Sequence, residues 1–349
     1  MLTLILHRTP VIKMCLLKIN GSSIQAVLFC FFATAVIAGI ACGKKNSAYE
    51  QPGVPAPVDT ITSKPVLSGR LVYHSYSCYD CNDSKLFLYD FHTNSNTVLS
   101  KGWNIQNPMN AHFSPDGKKI VFMGITPGTD QWDVFIWKIG DAAQPVNLTA
   151  ALTNSRNEDP KFSADGLSII FKSKGKLTRM DTLGNITARY TVPHKEASMP
   201  YFAGRDQYIL YAAEENGISS IYSYHIADGV VKSLYSAPGI YAYYPVAITD
   251  SSFIFTRWHS ATNKHDQLYI GYFNTQTPLS LPFNEPTGDY SDAYPVNEQY
   301  IFLSGARSGG RGGYDLYIAD ITNGSIWTLG EYNVYINTSG NELGACYLK

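Results

Sequence analysis

Residues 111–124 read AHFSPDGKKIVFMG and residues 160–173 read PKFSADGLSIIFKS. Each is an apolar run, a tight four-residue turn and a second apolar run, the signature of a strand hairpin. In Ser114-Pro115-Asp116-Gly117 the proline presets the backbone angle needed early in the turn, and the glycine tolerates a left-handed exit. These turn residues therefore read as structural. Looser copies follow at PYFAGRDQYILYAA (200–213), PVAITDSSFIFTRW (245–258) and YPVNEQYIFLSG (294–305). Beyond residue 66 there is no long 3.6-residue stripe, so the repeat is a β unit used several times over.

Outward from each hairpin lies a second pair of candidate strands. DVFIWKI (133–139) is followed by a stretch around Val146-Asn147-Leu148-Thr149, SIYSYHI (220–226) by VVKSLY, QLYIGYF (267–273) by PLSL, and DLYIADI (315–321) by SIWTL. The third unit is degenerate, with KLTRMDTLG and NITARYT in these places. Four such strands make a propeller blade. The first unit, GRLVYHSYS (69–77), KLFLYDF (85–91) and TVLS (97–100), lacks its innermost strand, whereas Leu-Gly-Ala-Cys-Tyr-Leu (343–348) at the other end resembles an inner strand without a partner. The expected fold is thus all-β: a six-bladed β-propeller of four-stranded blades over residues 66–349, closed by the C-terminal strand joining blade one. Closure leaves no free terminal blade edge, and about 285 residues in six units gives roughly 45 per blade, a propeller period.

Composition agrees. Across 349 residues, 45% are hydrophobic, only 16% are charged, and Tyr (25), Gly (28) and Pro (18) are plentiful, which favours strands and turns. With 27 Lys+Arg against 28 Asp+Glu there is no global electrostatic reason to expect nucleic-acid binding, and any charged patch must be local.

The N-terminal region reads as an address. Ile24 to Ala41 runs IQAVLFCFFATAVIAGIA between Lys18 and the pair Lys44 and Lys45, the outline of a signal peptide with an uncleaved anchor as the competing reading. Gly39-Ile40-Ala41-Cys42 resembles the lipobox of bacterial lipoproteins, which implies residues 1–41 as a lipoprotein signal peptide and lipidation of Cys42. Residues 42–65 are proline-rich and poor in large apolar groups, as expected of a flexible tether.

FSPDGKKIVF (113–122) followed by a DVFIW-type strand resembles the repeat of TolB-like propellers, also called WD40-like repeats. Phe113-Ser114-Pro115-Asp116-Gly117 carries the strongest match, and Phe162-Ser163-Ala164-Asp165-Gly166 keeps most of it. LSGARSGGRGGYDLYIAD (303–320) is similar to a Gly-rich loop and strand of propeller lipoproteins of the Bacteroidetes cell envelope. The resemblance implies a bacterial cell-envelope protein facing the periplasm or the cell surface. Some relatives carry a serine-peptidase domain after the propeller or act as oligosaccharide lyases.

In a propeller, the loops between blades and those between second and third strands gather around one mouth of the central channel, where function usually sits. The inter-blade loops contribute Asn107, Asn110, Glu158, Asp159, Glu196, Tyr241, Tyr243, Asp289, Asp292 and Glu342. This acidic and aromatic ring is suited to a cationic segment of a partner or to a hard cation, against the plain reading of solvated loop residues. The loops within blades add Trp132, Trp258, His259, His265, Asp266, Arg307 and Arg311. Trp and Tyr suit partner contacts or stacking on sugars. Arg307 and Arg311 among glycines suit a carboxylate or phosphate, although the spacing matches no phosphate loop. His259, His265 and Asp266 have ligand chemistry without zinc spacing, and neither G-x-S-x-G nor H-E-x-x-H occurs. No metal site and no cofactor are expected.

Outside the cytoplasm, Cys78-Tyr79-Asp80-Cys81 is expected to close a local disulfide, with Cys346 in the same blade as the alternative partner of either cysteine. No thioredoxin-like βαβ pattern surrounds the pair, which argues against a redox catalyst. The expected function is a lipid-anchored, monomeric binding or scaffold protein that holds an envelope protein, a peptide or a glycan. The alternative is a carbohydrate-active enzyme, a lyase or glycoside hydrolase, with its site at the channel mouth.

Overall fold

Ile120, Val121, Phe122 and Met123 follow one another in the strand Lys119–Ile125, and all four are buried. Consecutive residues of a strand point to opposite faces, so such a run requires both faces of its sheet to be covered. The computed structural model describes residues 63–153 and 156–349, and these form six four-stranded antiparallel sheets arranged as a propeller. Each sheet packs against the next. Leu71 lies among Phe302, Leu316 and Ile318 of the sixth blade, whereas its neighbour Val72 lies among Ala111, Phe113 and Phe122 of the second. The expected signal peptide, Cys42 and most of the tether lie outside the described residues.

The third blade is complete despite its weak sequence. Asn157–Phe162, Ser168–Ser173, Lys176–Asp181 and Ile186–Arg189 pair in order, because Leu177 and Met180, both fully buried, retain the apolar positions that the packing needs. The two glycine-marked turns are braced from within and from neighbouring blades. Gly117 N donates to Ser114 O at 2.8 Å, while Ser114 Oγ donates to Asp116 Oδ1 at 2.7 Å. Gly166 N and Ser163 Oγ repeat both bonds at 3.0 and 2.6 Å. Arg70 Nη2 of blade one donates to Gly117 O at 2.7 Å and Ala164 N donates to Asp206 Oδ2 of blade four at 2.8 Å, so these turns serve the fold.

Blade one is closed by the chain's last strand. Asn341–Leu348 pairs antiparallel with Arg70–Tyr76, placing Tyr347 opposite Leu71 and Cys346 opposite Val72. It joins Lys85–Asp90 and Ser95–Val98 in one sheet, in the order expected.

Every inner strand carries a bulge at the same place. Asn110, Asp159, Met199, Tyr244, Asp292 and Gly344 all have φ between 50° and 64°, and at each the register with the second strand shifts. The next residue is Ala111, Pro160, Pro200, Pro245, Ala293 or Ala345. A bulge leaves one residue out of the ladder, so proline, which has no N–H to give, is tolerated there. Left-handed backbone is costly for bulky residues. Its recurrence in all six blades shows that it is architectural: it turns one residue per blade toward the axis, a side chain in five blades and Gly344 in the first.

Gly344 is the bulge with no room for a side chain, since an added Cβ would lie 2.6 Å from the His74 ring and φ is +64°. Gly344→Ala is expected to lose about 2–4 kcal/mol, from left-handed strain and overpacking together, read as a lower urea midpoint at unchanged slope. An unchanged midpoint would show that closure does not depend on this contact.

Candidate functional site

The six bulges define the upper rung of a central channel. Asn110, Asp159, Met199, Tyr244, Asp292 and Gly344 line it, and two residues further along each strand His112, Lys161, Tyr201, Val246, Tyr294 and Cys346 line a second rung. The lower rung alternates. The rings of His112, Tyr201 and Tyr294 come from every second blade and meet at the axis, with centroids 5.9 Å apart for His112–Tyr201 and 6.1 Å for His112–Tyr294. They plug the channel. What remains gives about 50 Å³ of space for the centres of water-sized molecules, enough for a few waters and far below the volume of a typical small-molecule site.

Charge is concentrated in this vestibule. Burial pushes Asp159 above the ordinary carboxyl value, against the pull of Lys161 and of the hydrogen bond from Asn110 Nδ2, which is 2.8 Å long. Burial, reinforced by the negative charge of Asp159 and partly opposed by Lys161, pushes Asp292 up to about 7. Lys161 is lowered by burial despite the attraction of Asp159. His112 is held down to about 3 by burial and by Lys161, and its Nδ1 accepts a bond from Phe162 N at 3.2 Å. It is therefore the neutral tautomer, with the proton on Nε2.

Around the mouth, most of the sequence-predicted carboxylates are already taken up. Glu158 is buried and pairs with Arg156 at 2.6 Å and Lys172 at 3.1 Å. Burial would raise its pKa, but Lys172 and Arg156 outweigh that and hold it below the ordinary value. The same Lys172 reaches Glu196 at 2.6 Å. Glu342 is fully buried and accepts bonds from Ser75 Oγ at 2.8 Å and Thr338 Oγ1 at 2.6 Å. Asp289 Oδ1 accepts from Asp266 N at 2.8 Å, and Tyr243 donates its hydroxyl to Asp266 Oδ2. Asn107 is buried and bridges Ser84 N and Asn82 Oδ1.

The aromatic candidates divide. Tyr241 stacks on Trp258 at 4.7 Å, and Lys264 Nζ lies 4.7 Å over the Trp258 ring. Trp132 is 6% exposed, enclosed with Met109 and Met123. His259 and His265 close a hairpin through the His259 N to His265 O bond of 2.8 Å. Among the described residues no group of three His, Cys, Asp or Glu side chains is placed to hold a metal ion. Arg307 lies 3.9 Å from Glu285 and over the Tyr317 ring, and Arg311 Nη1 donates to Val334 O at 2.7 Å. Of all these candidates, Asn110, Asp159 and Asp292 converge in the channel. Cys78 and Cys81 are joined in a disulfide, while Cys346 is a buried free thiol on the lower rung.

Four functional candidates escape a motif search. Lys161, His112, Tyr201 and Tyr294 are found only by counting two residues past each bulge, once its position is known. A fifth is Tyr79. It shares a side-chain hydrogen bond with Arg156 and feels the charges of Glu158 and Asp159, so a loop of blade one reaches to blade three across the mouth.

No protein-family model matches the chain, and no curated protein matches it. Its architecture is that of a TolB-like six-bladed propeller. TolB from Acinetobacter baumannii superposes with a TM-score of 0.62 at 16% identity, covering 81% of this chain and 67% of that one. A structure described as TolB from Agrobacterium tumefaciens gives 0.55 at 12% identity, covering 81% and 99%. Hydrazine synthase of Kuenenia stuttgartiensis gives 0.62 at 15% identity, and this chain covers 47% of its length. At these identities the likeness is one of fold.

Asp292 provides a direct check of the vestibule. A carboxyl whose folded pKa is raised keeps a proton that the unfolded chain gives up, so its ionisation destabilises the fold as pH rises from about 4 through 7. Asp292→Asn is expected to be more stable than the parent at pH 8.5, by at most ~4 kcal/mol for three pKa units. The gain should shrink through pH 7 and vanish near pH 4 in pH-dependent urea midpoints. A gain that does not vary with pH would show that the carboxyl is solvated.

Proposed function

We propose that the protein is a binding module of the bacterial cell envelope that docks an envelope protein or peptide on the channel mouth. One observation supports this above the others: the mouth is a broad, ordered rim whose charges are paired internally, set over a channel with room only for a few waters. A docking partner therefore meets a preformed surface and pays little ordering entropy, whereas a channel with room for only a few waters offers little space to a sugar ring. The stacked Tyr241 and Trp258, half-buried and backed by Lys264, supply flat amphipathic area of the kind that dominates interface energetics. The lipobox-like Gly39-Ile40-Ala41-Cys42 and the tether after it support a lipid-anchored protein held at the outer membrane and facing the periplasm or cell surface. Among the described residues no helix is long and apolar enough to cross a membrane.

The raised Asp292 beside Asp159 favours a second reading, a carbohydrate-active enzyme with an acid held protonated near neutrality. The two readings part in one experiment. The protein is used as bait against solubilised envelopes and, in parallel, on a glycan array with product analysis. The binding reading expects a specific protein partner whose affinity falls roughly tenfold or more on Trp258→Ala, with little change in melting temperature and with Asp292→Asn without effect on any glycan. Cleavage of a glycan, abolished by Asp292→Asn, would replace it with the enzymatic reading.

A further inference from the structure

The loop that carries Tyr79 over the mouth is built unlike the others. Its tip is a single 3₁₀ turn, Tyr79–Cys81, with no buried residue, and Cys78, Tyr79, Asp80 and Cys81 are all exposed. No apolar core orders it. Its base is anchored separately: Asp83 accepts from Ser77 N at 3.0 Å and Ser77 Oγ at 2.5 Å, and Ser84 Oγ donates to Pro108 O at 2.8 Å. Between base and tip the shape is set by the Cys78–Cys81 bond together with Cys81 N donating to Cys78 O at 3.1 Å.

From that tip the Tyr79 side chain leans on Tyr76, with rings edge-on at 6.3 Å, and its hydroxyl shares a hydrogen bond with Arg156 of blade three. Tyr79 also interacts with Asp159 and with Tyr244 of blade five. Tyr79 of blade one is therefore close to the lining residues Asp159 and Tyr244, at the edge of the vestibule.

We propose that Cys78–Cys81 is a thiol-exchange site whose redox state decides whether Tyr79 covers the vestibule. The co-reactant is a dithiol. One of its thiolates attacks an exposed sulfur of the pair, breaking the S–S bond and forming a mixed disulfide. Its second thiolate then displaces the protein sulfur. Two electrons pass to the pair, which takes up two protons as Cys78 and Cys81 thiols, and the dithiol leaves as a disulfide. Exposed disulfides are the ones open to this exchange. Because the loop base is held by its own hydrogen bonds, reduction frees the tip alone, and blade one stays folded. This goes beyond the reading above, since it concerns access to the vestibule whatever the mouth holds.

Lys161 reports on that access: it lines the vestibule, and burial lowers its pKa, which favours the reactive free amine. The full-length protein is treated with a small acetylating ester, oxidised or after dithiothreitol, and Lys161 acetylation is followed by peptide mass spectrometry relative to the exposed Lys118. Reduction is expected to speed Lys161 acetylation about fivefold or more, as is Cys78→Ser/Cys81→Ser. Tyr79→Ala should give the fast rate in oxidised protein and remove the effect of dithiothreitol. Amide hydrogen exchange in Arg70–Tyr76 should stay slow throughout. Equal rates in the oxidised and reduced protein would overturn the proposal, and so would a Tyr79→Ala variant that still responds to dithiothreitol. An acceleration that appears only together with lost protection in Arg70–Tyr76 would overturn it too, since that marks unfolding of the blade.

Discussion

The antiparallel pairing of Asn341–Leu348 with Arg70–Tyr76 is the contact on which the rest of the molecule depends. It joins the two ends of the described chain, so it carries a large loop-closure cost and belongs among the slow, non-local pairings. In return it converts an open fan with two uncovered edges into a ring. Without it the channel would lack the wall built by Gly344, Ala345 and Cys346, and Phe302 and Phe91 would lose their ring contacts with Tyr347. The pairing also explains the state of Glu342, which sits at the start of the closing strand and is buried against Ser75 and Thr338. A residue that looks like a mouth charge in the sequence is part of the seam.

Electrostatics at the mouth follow the same logic. A row of Asp and Glu in inter-blade loops suggests a negative funnel able to steer a cation from a distance. Folding cancels much of it: Arg156 and Lys172 neutralise Glu158 and Glu196, and Tyr243, Asp266 and Asp289 form a hydrogen-bonded knot. Inside the channel, Asp159, Asp292 and Lys161 share a volume that holds only a few waters. Two carboxylates with one ammonium in so confined a site cannot all ionise freely, and the protein keeps a proton near Asp292 around neutrality. On the proposed binding function, recognition at the rim would rest on shape and aromatic surface more than on net charge.

The sequence made the architecture legible because blade hairpins are local: turn residues such as Ser114-Pro115-Asp116-Gly117 declare themselves within four positions, and the missing strand of the first unit points to the spare strand at the end. The third unit is harder in its second pair of strands, where KLTRMDTLG keeps its apolar pattern at Leu177 and Met180. The vestibule was mostly hidden for a different reason. The repeat is easiest to align from Ala111, Pro160, Pro200 and Pro245, one residue past the bulge, and the side chain that faces the lumen is the one just before. Asp159 and Asp292 were named because they are charged; Lys161, His112, Tyr201 and Tyr294 sit inside strands, where period-two reading assigns them to a face without saying that the face is a channel wall. Tyr79 was invisible as a site because its reach to Arg156 spans blades that are distant in sequence.

The two ends of the ring are built on different principles. At the end carrying the Ser-x-Asp-Gly turns, each turn closes on its own side chains, as Asp116 and Asp165 do, so the same solution is used twice with little variation. At the mouth no two loops are alike, and each borrows its order from a different source: an ion-pair chain at Glu158 and Glu196, a ring stack at Tyr241 and Trp258, a buried carboxylate at Glu342, a covalent bond at Cys78 and Cys81. Only the last of these can be switched off chemically while leaving the propeller core intact, because it alone orders a segment that contributes nothing to that core. A loop of this kind, placed where its one aromatic side chain meets the channel's charged groups, is free to change state without the ring changing shape.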